Sequence, residues 1–172
     1  MAAYIDAIRN LERESNALHR EVHRTFRLRD ESKHKLKDWK RAAERFRTYR
    51  SDLDPLIDRC RPSAGEVTEL YLREFMFDYV EVDPQFYRSG YILEKVLARI
   101  KKLKLTADEM FKVQTLLLNR IRTKALRNFR HICRVIPMIE NRQLRETVAE
   151  LAASDDPSIR RRAEFALAYF RK

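Results

Sequence analysis

The stretch Asp156-Pro157-Ser158-Ile159-Arg160, continued by Ala163, Ala166, Leu167 and Phe170, decides how the rest of the chain is read. Asp ahead of Pro marks a helix start: the carboxylate can accept from the first free backbone N–H groups, and Pro stands where the helix needs no N–H. The small and large apolar residues behind it recur at the spacing of one helix face. Such a helix must lay that face against another element. The stretch therefore predicts a stacking helix and an all-α protein.

The core spacing recurs upstream. Ile121-Arg122 is followed by Ala125 and Phe129, matching Ile159-Arg160, Ala163 and Leu167 in relative position; the offset of 38 residues suits a helical repeat. A third copy begins at Asp83-Pro84-Gln85-Phe86, with Gly90 at the small position and Leu93 and Leu97 where Ala166 and Phe170 would fall. Over roughly residues 66 to 172 this pattern resembles a HEAT-like (armadillo/HEAT-type) helical repeat. Tyr87 and Gly90 stand where that family more usually has Arg and Ala. The resemblance implies stacked helix pairs, a concave surface lined by second helices, and Arg122 and Arg160 each pairing with an Asp between repeats. Some proteins of similar plan are DNA glycosylases, but the Trp groove beside a lone Asp is missing here, since Trp39 is the single Trp.

Only 2 Gly and 5 Pro interrupt 172 residues of which 44% are hydrophobic, a balance that favours long helices. Net charge is +11 and unevenly placed. Residues 62 to 83 carry Glu66, Glu69, Glu74, Asp78, Glu81 and Asp83 against Arg73 alone, whereas Pro84 to Arg134 is strongly cationic, with only Glu94, Asp108 and Glu109 as acids. Such a field favours an anionic partner: nucleic acid, acidic protein or a lipid surface. Cys60 and Cys133 suggest neither a disulfide framework nor a zinc ribbon. No membrane span and no signal-peptide core is read, so the expected location is cytoplasmic.

No Gly or Pro precedes Pro55, and a seven-residue seam runs through Ile8, Leu11, Ser15, Leu18, Val22, Thr25, Arg29, Ser32, Leu36, Trp39, Ala43, Phe46, Arg50, Leu53 and Ile57. Residues 1–61 are read as a coiled-coil-like helical arm, one helix or two nearly in line, and residues 62–172 as a short HEAT-like block. Leu11, Leu18, Val22, Leu36, Trp39 and Phe46 are its candidate packing residues. Within the block, Ser63 and Glu66 have the spacing of a capping box opening a helix to about Val80. Asp83-Pro84 is expected to start a helix to about Lys104, kinked at Gly90. Thr106 with Glu109 forms a second capping box, with Leu105 and Met110 as its hydrophobic staple. From Ala107 the pattern runs to Val135 or bends near Asn119, and 141–153 with 157–170 close the block as a helical pair.

The candidate contact residues for an anion or partner are two rows at helical spacing, Lys95, Arg99 and Lys102, then Arg120, Lys124, Arg127, His131 and Arg134, together with Arg161 and Arg162. No catalytic constellation is found: Gly-x-Ser-x-Gly and phosphate-loop patterns are missing, and Cys133 falls in an apolar row. His19 and His23, one turn apart, and Glu31-x-x-His34 lack the further ligands a metal site needs, so no metal, cofactor or small-molecule substrate is expected. The sequence reading is a non-catalytic scaffold for a macromolecular partner, foremost a protein or a second copy of the chain, because the arm shows more apolar surface than an isolated helix leaves bare. The alternative is a nucleic-acid-binding module using a basic helical face.

Overall fold

The computed structural model describes residues 3–61, 70–123 and 128–170, and every regular element among them is helical. Helix α1, Ile5–Leu28, ends just before the polar seam positions Arg29 and Ser32, and α2, Lys33–Thr48, runs back along it. Glu14 meets Tyr49 (2.7 Å from phenol to carboxylate), His19 meets Phe46 (5.5 Å between rings) and Phe26 meets Trp39 (5.9 Å), so numbers rise on one helix as they fall on the other. The expected arm of one helix, or two in line, is thus corrected to an antiparallel hairpin. Its turn uses neither Gly nor Pro: Glu31 N–H reaches the Leu28 carbonyl (3.1 Å), and Ser32 caps α2 by accepting from Lys35 N–H (3.2 Å). Arg29 seals the tip, its guanidinium 3.6 Å from the Phe26 ring centroid. Leu18, Val22, Leu36, Trp39 and Phe46 are half-buried, while Leu11 is buried.

Nor is α1 isolated from the block. Ile8 and Leu11 belong to the same apolar core as the later helices, Tyr4 N–H donates to Asp78 Oδ2 (2.9 Å), and Gln85 N–H donates to Glu12 (2.7 Å). At the centre stands α4, Leu70–Val82, in which Phe75, Met76, Phe77, Asp78, Tyr79 and Val80 are all buried. A helix apolar around its whole circumference needs neighbours on every side. It has them in α1, in the short α3 (Asp54–Arg59), in α5 (Ser89–Ile100) and in α6 (Ala107–Arg122). The predicted capping box at Ser63 lies outside the described residues.

Asp83-Pro84 closes α4 instead of opening the next helix. Asp83 sits at φ 46° and donates its N–H to the Tyr79 carbonyl (3.0 Å), a left-handed stop that Asp tolerates better than most side chains. Pro84 then cannot extend the helix. Consequently α5 begins only at Ser89, with Gly90 in its first turn and not at a kink, and it ends at Ile100.

The Thr106–Glu109 capping box forms as predicted: Glu109 N–H bonds Thr106 Oγ1 (3.3 Å) and Thr106 N–H bonds Glu109 Oε2 (2.7 Å). Glu109 also takes two bonds from Arg73 (2.5 and 2.7 Å), tying α6 to α4. Burial pushes the Glu109 carboxyl up, but the Arg73 guanidinium and Thr106 together hold it below its ordinary 4.5. A depressed carboxyl stabilises the fold above its unfolded pKa and loses that contribution as pH falls through the lower folded value. Glu109→Gln, which keeps an acceptor for the cap, is expected to cost about 1.5 kcal/mol at neutral pH. Urea titrations at neutral pH and near pH 3 should show the gap between variant and parent closing in acid.

Helix α6 stops at Thr123, whose N–H returns to the Asn119 carbonyl (2.9 Å), so the pattern bends rather than running to Val135. Two short helices follow, α7 (Phe129–Cys133) and α8 (Ile136–Ile139), and then the closing pair α9 (Arg142–Ala152) and α10 (Pro157–Leu167). Asp156 caps α10 as its sequence demands, accepting from Ser158 N–H (2.7 Å) and Ile159 N–H (3.2 Å). Ala163 and Ala166 are buried, letting α10 lie close to α9 and α6. The upstream copies of the pattern do not reproduce this helix: Ile121 and Phe129 belong to different helices, and Asp83-Pro84 ends one.

Candidate anion-binding groove

Two helix faces meet across an open groove. From α3 and the turn after it come Asp54, Ile57, Asp58 and Arg61; from the turn entering α5, and α5 itself, come Tyr87, Arg88, Tyr91, Ile92 and Lys95; Arg50 joins from the link between α2 and α3. On each side the residues recur at helical intervals, which is why they share a face. Ile57 and Ile92 are buried beneath and form an apolar floor. Four cationic side chains stand against two carboxylates, and both carboxylates are engaged: Asp58 accepts from Arg61 (2.8 Å), and Asp54 from Ser51 N–H (3.3 Å) and Oγ (3.2 Å). The Arg61–Asp58 pair is solvent-exposed, so an incoming anion competes for Arg61 at little cost.

The groove also displays aromatic rings. Tyr87 is 66% exposed and Tyr91 50% exposed. The Tyr87 ring is backed by the His19 ring (5.8 Å, nearly parallel) and by the edge of Phe46 (5.6 Å), so the α1–α2 hairpin props it in place. The two histidines that share a turn, His19 and His23, thus bond each other (3.1 Å) within an aromatic cluster.

Of the described cations singled out by sequence, only Lys95 lines this groove. Arg99, one turn further along α5, is 3% exposed, and Lys102 lies exposed beyond the helix end. The second row is corrected more deeply. Arg120 is 5% exposed and ion-paired with Asp83, His131 is half-buried 3.8 Å from Glu94, and of the described members only Arg134 is exposed. Lys124 and Arg127 lie outside the described residues. Because α6 ends before them and α7 starts anew, the four-and-three spacing does not lie on one helix. Arg161 is exposed, whereas Arg162 donates to the Ile121 carbonyl (2.7 Å) and closes the end of α6, a structural task in place of the partner contact expected. Arg160 bonds the Ser154 carbonyl (3.3 Å), not an Asp of a neighbouring repeat.

Arg50, Arg61, Arg88, Tyr87 and Tyr91 were not among the expected contact residues. The legible signal was local: Tyr87-Arg88, Tyr91 and Lys95 place aromatic and cationic groups on one helical stripe. What the sequence could not show is the opposing wall, which the fold supplies from residues 50 to 61.

Elsewhere, Cys60 and Cys133 are both buried, and burial pushes each thiol up to about 12, so neither carries thiolate at neutral pH. Among the described residues no group of three or more His, Cys, Asp or Glu is placed to hold a metal ion. No helix among them is long and apolar enough to cross a membrane. Comparison with family models, curated proteins and solved structures finds no match.

Proposed function

We propose that this protein is a non-catalytic helical scaffold that binds a macromolecule, and that the groove between α3 and α5 receives the phosphate backbone of a nucleic acid. The observation that carries this is the convergence of Arg50, Arg61, Arg88 and Lys95 on one open groove with an apolar floor. Guanidinium forks and an ammonium on facing walls suit a chain of phosphates, which each can contact without reading sequence. The chain's net charge of +11 would draw such a partner in. The apolar seam, which argues for a protein partner, is partly covered within the chain by the pairing of α1 with α2, leaving Leu18, Val22, Leu36, Trp39 and Phe46 half-buried.

Binding of a fluorescein-labelled oligonucleotide, followed by anisotropy across a salt series, tests the reading. Affinity is expected to fall steeply with salt. Arg88→Glu with Lys95→Glu should weaken binding at least about tenfold and flatten the salt slope by about two, at unchanged circular dichroism. No binding at low salt, or binding indifferent to this double reversal, would overturn it.

One specific feature favours a second contact, with protein. Phe111 is 66% exposed beside Val80, Leu116 and Thr115 in a cleft between α4 and α6, where Glu81 and Asp108 both pair with Lys112. An exposed aromatic anchor beside apolar neighbours, with its rim charges already paired, suits an apolar side chain of a protein partner.

A further inference from the structure

We infer that the groove is built for single-stranded nucleic acid, with bases stacked on Tyr87 and Tyr91 while the backbone follows the cations on the walls. This rests on the nucleic-acid reading above and narrows it. In a duplex the base faces are hidden against one another, so two tyrosines standing among phosphate-binding groups would have nothing to grip. A single strand offers both a charged backbone and bare ring faces, and aromatic side chains beside a cationic track are how such strands are held without sequence preference.

Four features of the groove fit that ligand. Tyr87 has a propped inner face and an outer surface open to solvent, so stacking there costs little side-chain freedom. Tyr91 lies four residues on and lines the same groove, which sets the two rings along one path. Arg50 and Arg61 stand on one wall and Arg88 and Lys95 on the other, so phosphates find cations on either side of the rings. The buried Ile57 and Ile92 between the walls give the bases an apolar bed.

The test is anisotropy with a labelled oligothymidylate and with a duplex of equal length, on the parent chain, Tyr87→Ala, Tyr91→Ala and the conservative Tyr91→Phe. The parent is expected to prefer the single strand. Each Ala change should weaken single-strand binding about 5- to 150-fold while leaving the salt slope unchanged, and Tyr91→Phe should retain most of the affinity. Should Tyr87→Ala fail to fold, by circular dichroism, Tyr91→Ala decides the matter. Unchanged affinity in the Ala variants, together with loss in Arg88→Glu/Lys95→Glu, would sink the stacking inference and leave the nucleic-acid reading standing. Indifference to all of these variants would remove both. Equal or tighter binding of the duplex, of polyglutamate or of anionic phosphatidylserine vesicles would likewise overturn the single-strand assignment.

Discussion

Asp83→Ala is expected to lower stability by about 3–5 kcal/mol, because it strands a buried guanidinium. Arg120 is 5% exposed, its Nη2 donates to the Asp83 carboxylate, and its Nε has no hydrogen-bond partner. Burial pushes the Asp83 carboxyl up, and the neighbouring Arg120 only partly offsets that. The pair is therefore costly to break without being a large net source of stability. Ala would also have to occupy φ 46°, where its Cβ is strained and where Asn is tolerated. Asp83→Asn separates the two effects by removing charge while keeping the turn. Asp83→Asn with Arg120→Met is expected to recover much of the loss, since apolar replacement of a buried pair is often neutral. Urea unfolding of the cycle measures the coupling; a loss below about 1 kcal/mol in Asp83→Ala would show that the guanidinium reaches water. The pH sign is opposite to that of Glu109. A carboxyl raised on folding binds its proton more readily in the folded chain, so its contribution is fullest below the unfolded value and declines as pH rises through the folded one.

Phe75→Ala is expected to cost about 3–5 kcal/mol, through lost burial and the cavity left behind. Phe75 is fully buried in the middle of α4, meets Tyr4 edge-on (5.8 Å) and lies beside Tyr79 (5.9 Å). It therefore joins the start of the chain to the central helix. Against a typical folding free energy of about 5–15 kcal/mol, such a loss brings the variant close to unfolding. Phe75→Leu keeps most of the volume and should lose less than half as much. Thermal unfolding followed by circular dichroism checks both, and a near-silent Phe75→Ala would mean that α4 is not the centre of the core.

Where local chemistry decides the structure, the sequence was legible. The Asp156 cap, the Thr106–Glu109 box and the buried Ile8, Leu11 and Ser15 of the first seam all follow from side chains a few residues apart. The hairpin at Ser32 escaped because its turn is made by ordinary caps without Gly or Pro, and its driving force is the meeting of two distant apolar stripes. Arg120 misled for a related reason. Its four-residue spacing suits an exposed stripe, but its acid partner lies 37 residues away, beyond the reach of periodicity. The groove is the extreme case: its walls come from residues 50–61 and 87–95, and only tertiary packing sets them face to face.

The hydrogen bond from the Tyr4 backbone N–H to the Asp78 carboxylate spans 74 residues. During synthesis the paired α1 and α2 can close soon after leaving the ribosome, but Ile8 and Leu11 have no seat until α4 has been made. The apolar face of α1 therefore stays open to chaperones and to wrong partners until α4 has been made.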